Sequence, residues 1–152
     1  MFKHILIPTD GSPLSRAAAA AGIELAGKLG ARVTGLFAAP APTPIVYRAL
    51  IPVGYMTPDE HADLIRRAAK RYLETIAAEA RRAGVKCETV SVTDEYPAHA
   101  ILEMARKRRC DLIFMASHGR RGITDALLGS ETQKVLHESR IPVLVYRGRQ
   151  RG

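Results

Sequence analysis

The sequence predicts an α/β fold: a five-stranded parallel sheet with helices on both faces. Two observations carry that expectation. Short apolar runs rich in isoleucine and valine alternate with amphipathic stretches along the chain, in the pattern β-α-β-loop-α-β-α-β-α-β. One run, "CDLIFMAS", is apolar on both parities, as a central parallel strand buried on both faces must be.

Each element has its own signal. "FKHILIPT" is bounded by "DGSP" and reads as a first strand rather than a signal peptide. The next segment opens with Ser12 as N-cap and Pro13 at the first helical position. Leu14, Ala18, Ala21, Leu25 and Leu29 fall at helical spacing, and Gly30 is the stop. "ARVTGLFAA" is the second strand. The proline-rich stretch from Pro40 to Pro58 cannot be regular helix and is expected to be a long excursion from that strand's end. Thr57 and Glu60 form a capping box for a helix whose apolar face runs through Leu64, Ile65, Ala68, Ala69, Tyr72, Leu73, Ile76, Ala77 and Ala80. "VKCETVSVT" alternates as a third strand. A helix opened by Pro97 follows, packed through Ile101, Leu102 and Ala105. After "CDLIFMAS", the stretch "SETQKVLHES" reads as a fourth helix, with Ser130 and Gln133 as a further capping box, and "IPVLVYR" as the last strand.

Composition excludes several classes. The 152 residues suit one domain, expected over residues 1–148, with a basic tail at 149–152. No apolar run reaches the roughly 20 residues that span a bilayer. Cys87 and Cys110 lie far apart without a CxxC, so neither a disulfide framework nor a zinc site is expected, and the cytoplasm is the default compartment. His4, His61, His99 and His137 make no metal-ligand set. The net charge of +8 comes largely from "RRAAKR", "RKRR" and the tail. No aromatic interleaves with these runs, which speaks against nucleic acid and for solvated helix faces.

In a parallel sheet of this kind ligands sit outside the C-terminal strand ends. Two loops stand at that rim: "PTDGS" after the first strand and "SHGRRGITDALLGS" after the fourth. A phosphate needs converging backbone N–H groups with no side chain in the way, and a helix N-terminus adds donors and a favourable dipole. Gly119 and Gly129–Ser130 could supply both features, but the loop is neither a Walker A motif nor GxGxxG, and glycines in a strand–helix connection are more often simple turn formers.

"ILIPTDGS", "DLIFMASHGRRGITDALLGS" and "IPVLVYR" together resemble the universal stress protein family over essentially the whole chain. That resemblance implies a Rossmann-like sheet, adenine nucleotide alpha hydrolase-like, in strand order 3-2-1-4-5. It implies ATP (or AMP or ADP) as ligand, with Mg²⁺ or Mn²⁺ bridging the phosphates, and a stress-response or signalling role with slow or no hydrolysis. The family's loop has the form G-x2-G-x9-G-[S/T]. Here Gly119, nine residues and Gly129–Ser130 fit, but the first position is Ala116. Alanine keeps the backbone donor, takes positive φ only at a cost and carries a methyl toward the phosphates. The implied contacts are Pro8, Thr9 and Asp10 on the adenosine side, backbone at Ala38 for the adenine edge, and Ala116, Ser117, His118, Gly119, Arg120, Gly129, Ser130 and Glu131 around the phosphates. The family also implies a homodimer through Val143–Tyr146. The alternative is the family's nucleotide-free, dimeric scaffold branch. A true ATPase, with Ser130 or His118 as phosphoacceptor, lacks any recognisable group to activate water, so no catalytic residue is assigned.

Overall fold

The structure is a computed structural model that describes residues 1–40, 57–119 and 127–148. The elements, in chain order, are β1 (His4–Pro8), α1 (Pro13–Leu29), β2 (Arg32–Ala39), α2 (Pro58–Arg82), β3 (Cys87–Thr93), α3 (Pro97–Lys107), β4 (Leu112–Ala116), α4 (Ser130–Glu138) and β5 (Val143–Tyr146). All four strand pairings are parallel, and the order across the sheet is β3-β2-β1-β4-β5. The expected fold and strand order are therefore observed. The Pro40–Pro58 excursion lies mostly outside the described residues.

Alternation along the central strands divides the core into two layers. Ile5 and Ile7 of β1 and Leu112, Phe114 and Ala116 of β4 face one side, against Ala18, Ile23 and Ala26 of α1 and Ile76 and Ala80 of α2. Leu6, Ile113 and Met115 face the other, against Ile101, Met104 and Ala105 of α3 and Val135 of α4. β4 is buried at every residue, as its two-sided apolar pattern predicts.

The helix starts differ in chemistry. Ser12 Oγ accepts from Ser15 N, and the Thr57–Glu60 capping box is complete, so α1 and α2 begin where the sequence places them. Three expectations are corrected. The buried stripe of α1 is Ser15, Ala18, Ala19, Gly22, Ile23 and Ala26; Leu14, Ala21, Leu25 and Leu29 flank it, half-buried. Small residues win the centre because the helix lies close to the sheet: a Cβ at Gly22 would stand 2.9 Å from Ile7 Cδ1. The Ser130–Gln133 capping box does not form. Gly129 is the N-cap of α4, it offers no side-chain hydrogen bond, and the Gln133 amide donates instead to Leu128 O. On α2, Leu64 lies outside the buried face, at 46% exposure.

Candidate functional site at the C-terminal rim

Because β1 and β4 are neighbours, their following loops meet at the C-terminal rim of the sheet. The first loop is held by hydroxyls. Thr9 N donates to Leu36 O at 2.8 Å, and Thr9 Oγ1 accepts from Gly11 N at 3.1 Å while lying 3.2 Å from Ser15 Oγ. Asp10 Oδ1 accepts from Ser12 N at 2.9 Å. Thr9, Ser12 and Ser15 are buried, so these bonds exchange with little water and fix the loop's shape. Gly11 adopts φ +77°, and the Tyr72 ring of α2 lies directly on it; a Cβ there would stand 2.2 Å from the ring. Tyr72 in turn meets Phe37 edge-on, with ring centroids 5.5 Å apart. One aromatic pair thus braces both the Asp10 loop and the end of β2, where Ala38 and Ala39 stand.

The second loop leaves β4 through Ala116 and Ser117. Ser117 N donates to Tyr146 O at 2.8 Å, and Ser117 O accepts from Gly129 N at 2.8 Å. The buried Thr132 hydroxyl donates to Ala116 O at 3.0 Å, fastening the first turn of α4 to the end of β4. Close approach explains both glycines. A Cβ at Gly129 would come within 3.0 Å of His118 Cα, and one at Gly119 within 2.4 Å of Asp10 Oδ2. The second contact ties the loops together: Gly119 backbone faces the Asp10 carboxylate.

Ala116 does not behave as its substitution for glycine predicts. Its backbone is not in the positive-φ region, it pairs with Tyr146 inside the sheet, and its methyl belongs to the core layer shared with α1. The methyl is therefore absorbed by the core.

The other expected contacts are placed as follows. Pro8 ends β1, Ala38 stands half-buried near the end of β2, and His118 is half-buried with Nδ1 3.2 Å from Ser117 Oγ. Ser130 is exposed at the first position of α4. The Glu131 carboxylate turns away: Oε2 accepts from Ala98 N at the start of α3 at 2.8 Å, and Oε1 pairs with Lys134. Arg120 lies outside the described residues. Among the described residues, α4 is the helix that reaches this rim with no side-chain oxygen on its first amides, since α3 borrows one from Glu131. A helix N-terminus of this kind beside two close-approach glycines offers free backbone donors and a favourable dipole to an anion.

Further along the rim, Asp94 N donates to Ala39 O. The Asp94 carboxylate is held below its usual range by the His99 imidazole 2.7 Å away and then by Tyr96 N–H, and the same pair raises His99. Among the described residues no cluster of three or more His, Cys, Asp or Glu residues could hold a metal. A small cleft between α1 and α2 shares Thr9 and Tyr72 with the rim, but Arg16, Thr75 and Glu79 are the polar residues among the rest of its lining. It holds none of the glycine-loop donors, so the rim is the better candidate for an anionic ligand. Tyr72 and Thr132 were not singled out from the sequence. Thr132 had a weak signal as a hydroxyl residue in the first turn after a glycine. Tyr72 had none, because its contact with Gly11 is purely tertiary.

Comparison with known proteins agrees with this geometry. Residues 1–147 match the universal stress protein family. The universal stress protein YxiE of Bacillus subtilis is 32% identical over 97% of this chain and 100% of its own length. The universal stress protein MJ0531 of Methanocaldococcus jannaschii is 32% identical over 95% of this chain and 82% of its own. Among solved structures, MJ0577 of the same archaeon superposes with a TM-score of 0.80 at 27% identity, covering 100% of this chain and 99% of that one. A universal stress protein in complex with cAMP gives 0.70 at 23%, covering 95% and 97%. One from Archaeoglobus fulgidus in complex with dAMP gives 0.64 at 17%, covering 95% and 97%. The last two likenesses are likenesses of fold.

Proposed function

The chain belongs to the universal stress protein family, and from that premise we propose that it binds an adenine nucleotide at the C-terminal rim, as a stress-response or signalling module with slow or no hydrolysis. One observation carries the reading: the uncapped N-terminus of α4 and Gly119 stand opposite the Asp10 loop, which offers anion donors and a polar adenosine wall on one rim. That relatives of this fold were solved with cAMP and dAMP supports an adenine ligand.

In this proposal Pro8, Thr9 and Asp10 take the adenosine, and Ala38 backbone takes the adenine edge. The phosphates, of ATP or of AMP or ADP, lie against backbone at Ala116, Ser117, His118 and Gly119 and against Gly129 and Ser130. Glu131 contributes its first-turn N–H, since its carboxylate is engaged by α3. Arg120 is retained from the sequence as a phosphate contact. Mg²⁺ or Mn²⁺ would be held by the phosphates. The protein works in the cytoplasm as a single domain over 1–148, and it pairs through β5. That strand is a sheet edge, and Leu144 on it is 38% exposed. A nucleotide-free scaffold rested on Ala116, and the placement of its methyl in the core removes that support.

The test is to denature the freshly purified protein and resolve the supernatant by anion exchange. Co-purified ATP, ADP or AMP is expected. Its absence, together with no calorimetric binding at millimolar ATP, overturns the reading. Light scattering tests the pairing, and a monomer contradicts it.

A further inference from the structure

The opposite, N-terminal rim of the sheet carries a row of cations. Each of the five strands begins at or just after a basic residue: Lys86 before β3, Arg32 at the start of β2, Lys3 before β1, Arg109 before β4 and Arg140 before β5. The strands are parallel, so all five lie on one edge. The register places Arg32 one residue from the level of Lys3, and Lys3 level with Cys110, next to Arg109. At a strand spacing of about 4.8 Å the row is about 19 Å long. All five are exposed, and none makes an ion pair among the described residues. Two acids lie beside the row and keep their charge, but neither forms an ion pair with the five cations. Asp111 accepts from Lys3 N and His4 N at 2.8 and 2.9 Å, and Glu88 accepts from Thr34 and pairs with Arg108.

Complementing helix dipoles does not explain the row. Lys28, Arg81, Arg82, Arg106 and Lys107 already occupy the last turns of α1, α2 and α3, and each pairs with a glutamate of its own helix. Lys3 follows no helix. Arg109 supplies an independent sign. It is the one non-glycine residue with positive φ among the described residues, at 54°. At the matching ends of α1 and α2 the chain uses Gly30 and Gly84, at 62° and 67°. An arginine held where glycine is favoured keeps a charge at a conformational cost.

From this row we infer that the N-terminal rim docks an extended acidic segment of a partner protein. The row matches about six residues of extended chain at about 3.3 Å each. Among the described residues it projects no helix or ribbon to enter a DNA groove, and the aromatic beside the row, Phe2, is half-buried against the core rather than free to stack on bases. Docking there leaves the opposite rim open, so it is independent of the nucleotide reading.

The probe is a fluorescein-labelled hexaglutamate peptide, followed by anisotropy with the full chain. Saturable binding that weakens steeply with salt is expected. Arg109→Gly should weaken it about two- to fivefold while raising the melting midpoint by about 2 °C, because it relieves the left-handed strain. The triple variant Lys86→Ala, Arg109→Gly, Arg140→Ala should lose about tenfold or more. Three results overturn the inference. These are no binding at low salt, a triple variant that binds like the wild type, or tighter binding of duplex DNA or phosphatidylserine vesicles than of the peptide. A lowered midpoint for Arg109→Gly would remove the strain argument.

Discussion

The two ends of one parallel sheet are built by opposite rules. At the N-terminal rim α1, α2 and α3 close in short left-handed turns at Gly30, Gly84 and Arg109, and charge faces solvent. At the C-terminal rim the chain instead buries hydroxyls at Thr9, Ser12, Ser15, Ser117 and Thr132, and brings glycine backbone against neighbouring side chains. At the first rim a Cβ at Gly30 or Gly84 meets nothing within 4 Å, so a substitution there carries the strain of positive φ but no clash. The second is crowded, and crowding there is what holds two loops at a fixed separation. Shape is specified at the rim proposed to receive a ligand, and charge where a surface is presented.

The contrast can be broken by mutation. The largest effect is expected for Gly11→Ala, where positive φ and displacement of the Tyr72 ring combine. It should cost about 2–4 kcal/mol by urea denaturation. Gly84→Ala on the opposite rim has the strain without the clash and should cost only about 1–2 kcal/mol. Equal losses would erase the distinction. Next, Thr132→Val removes the buried bond to Ala116 O and should cost about 1–3 kcal/mol. It should also weaken nucleotide binding, since it frees the first turn of α4 from β4. Ala116→Gly should cost about 1 kcal/mol through the lost methyl and the gained backbone freedom. It should leave nucleotide affinity within about twofold, and a large gain in affinity would show that the methyl does obstruct phosphates.

The pH responses of the two rims also differ. His4, near the N-terminal end of β1, is lowered by burial and then by Arg32, so the fold favours its neutral form. The unfolded chain then binds a proton that the folded one refuses. Stability contributed by neutral His4 is present above the ordinary value of 6.5 and is lost as pH falls below it through the lower folded-state value. His4→Gln should flatten that part of a pH–stability profile. His99 at the C-terminal rim has the opposite sign. Its raised pKa means a contribution present below 6.5 and lost as pH rises through the folded value. The pair with Asp94 is exposed, so the readout is the proton NMR titration midpoint of His99, which should fall in Asp94→Asn. An unchanged midpoint would mean the pair does not form.

Much of this arrangement was legible in the sequence, for identifiable reasons. Isoleucine-rich runs and capping residues such as Ser12 and Thr57 act locally, so strands and helix starts can be read one element at a time. The face of α1 was misplaced because its leucines draw attention to the flank, while Ala18, Ala19 and Gly22 take the centre where helix and sheet come close. The capping box at Ser130 failed because Gly129 became the cap, with its N–H bonded to Ser117 O across the loop. The Tyr72–Gly11 contact and the turn of Glu131 toward α3 depend on which elements pack together. No local pattern encodes them.

The most direct test of the rim as a nucleotide site is a calorimetric titration with ATP and Mg²⁺ of the wild type beside Gly119→Ala. A methyl at Gly119 must displace the Asp10 carboxylate, while backbone φ there is ordinary and the fold should persist. Saturable binding by the wild type and a loss of about tenfold or more in the variant is the expected result. Equal affinity of the two proteins, or no heat from either, would contradict a site built between Asp10 and the glycine loop.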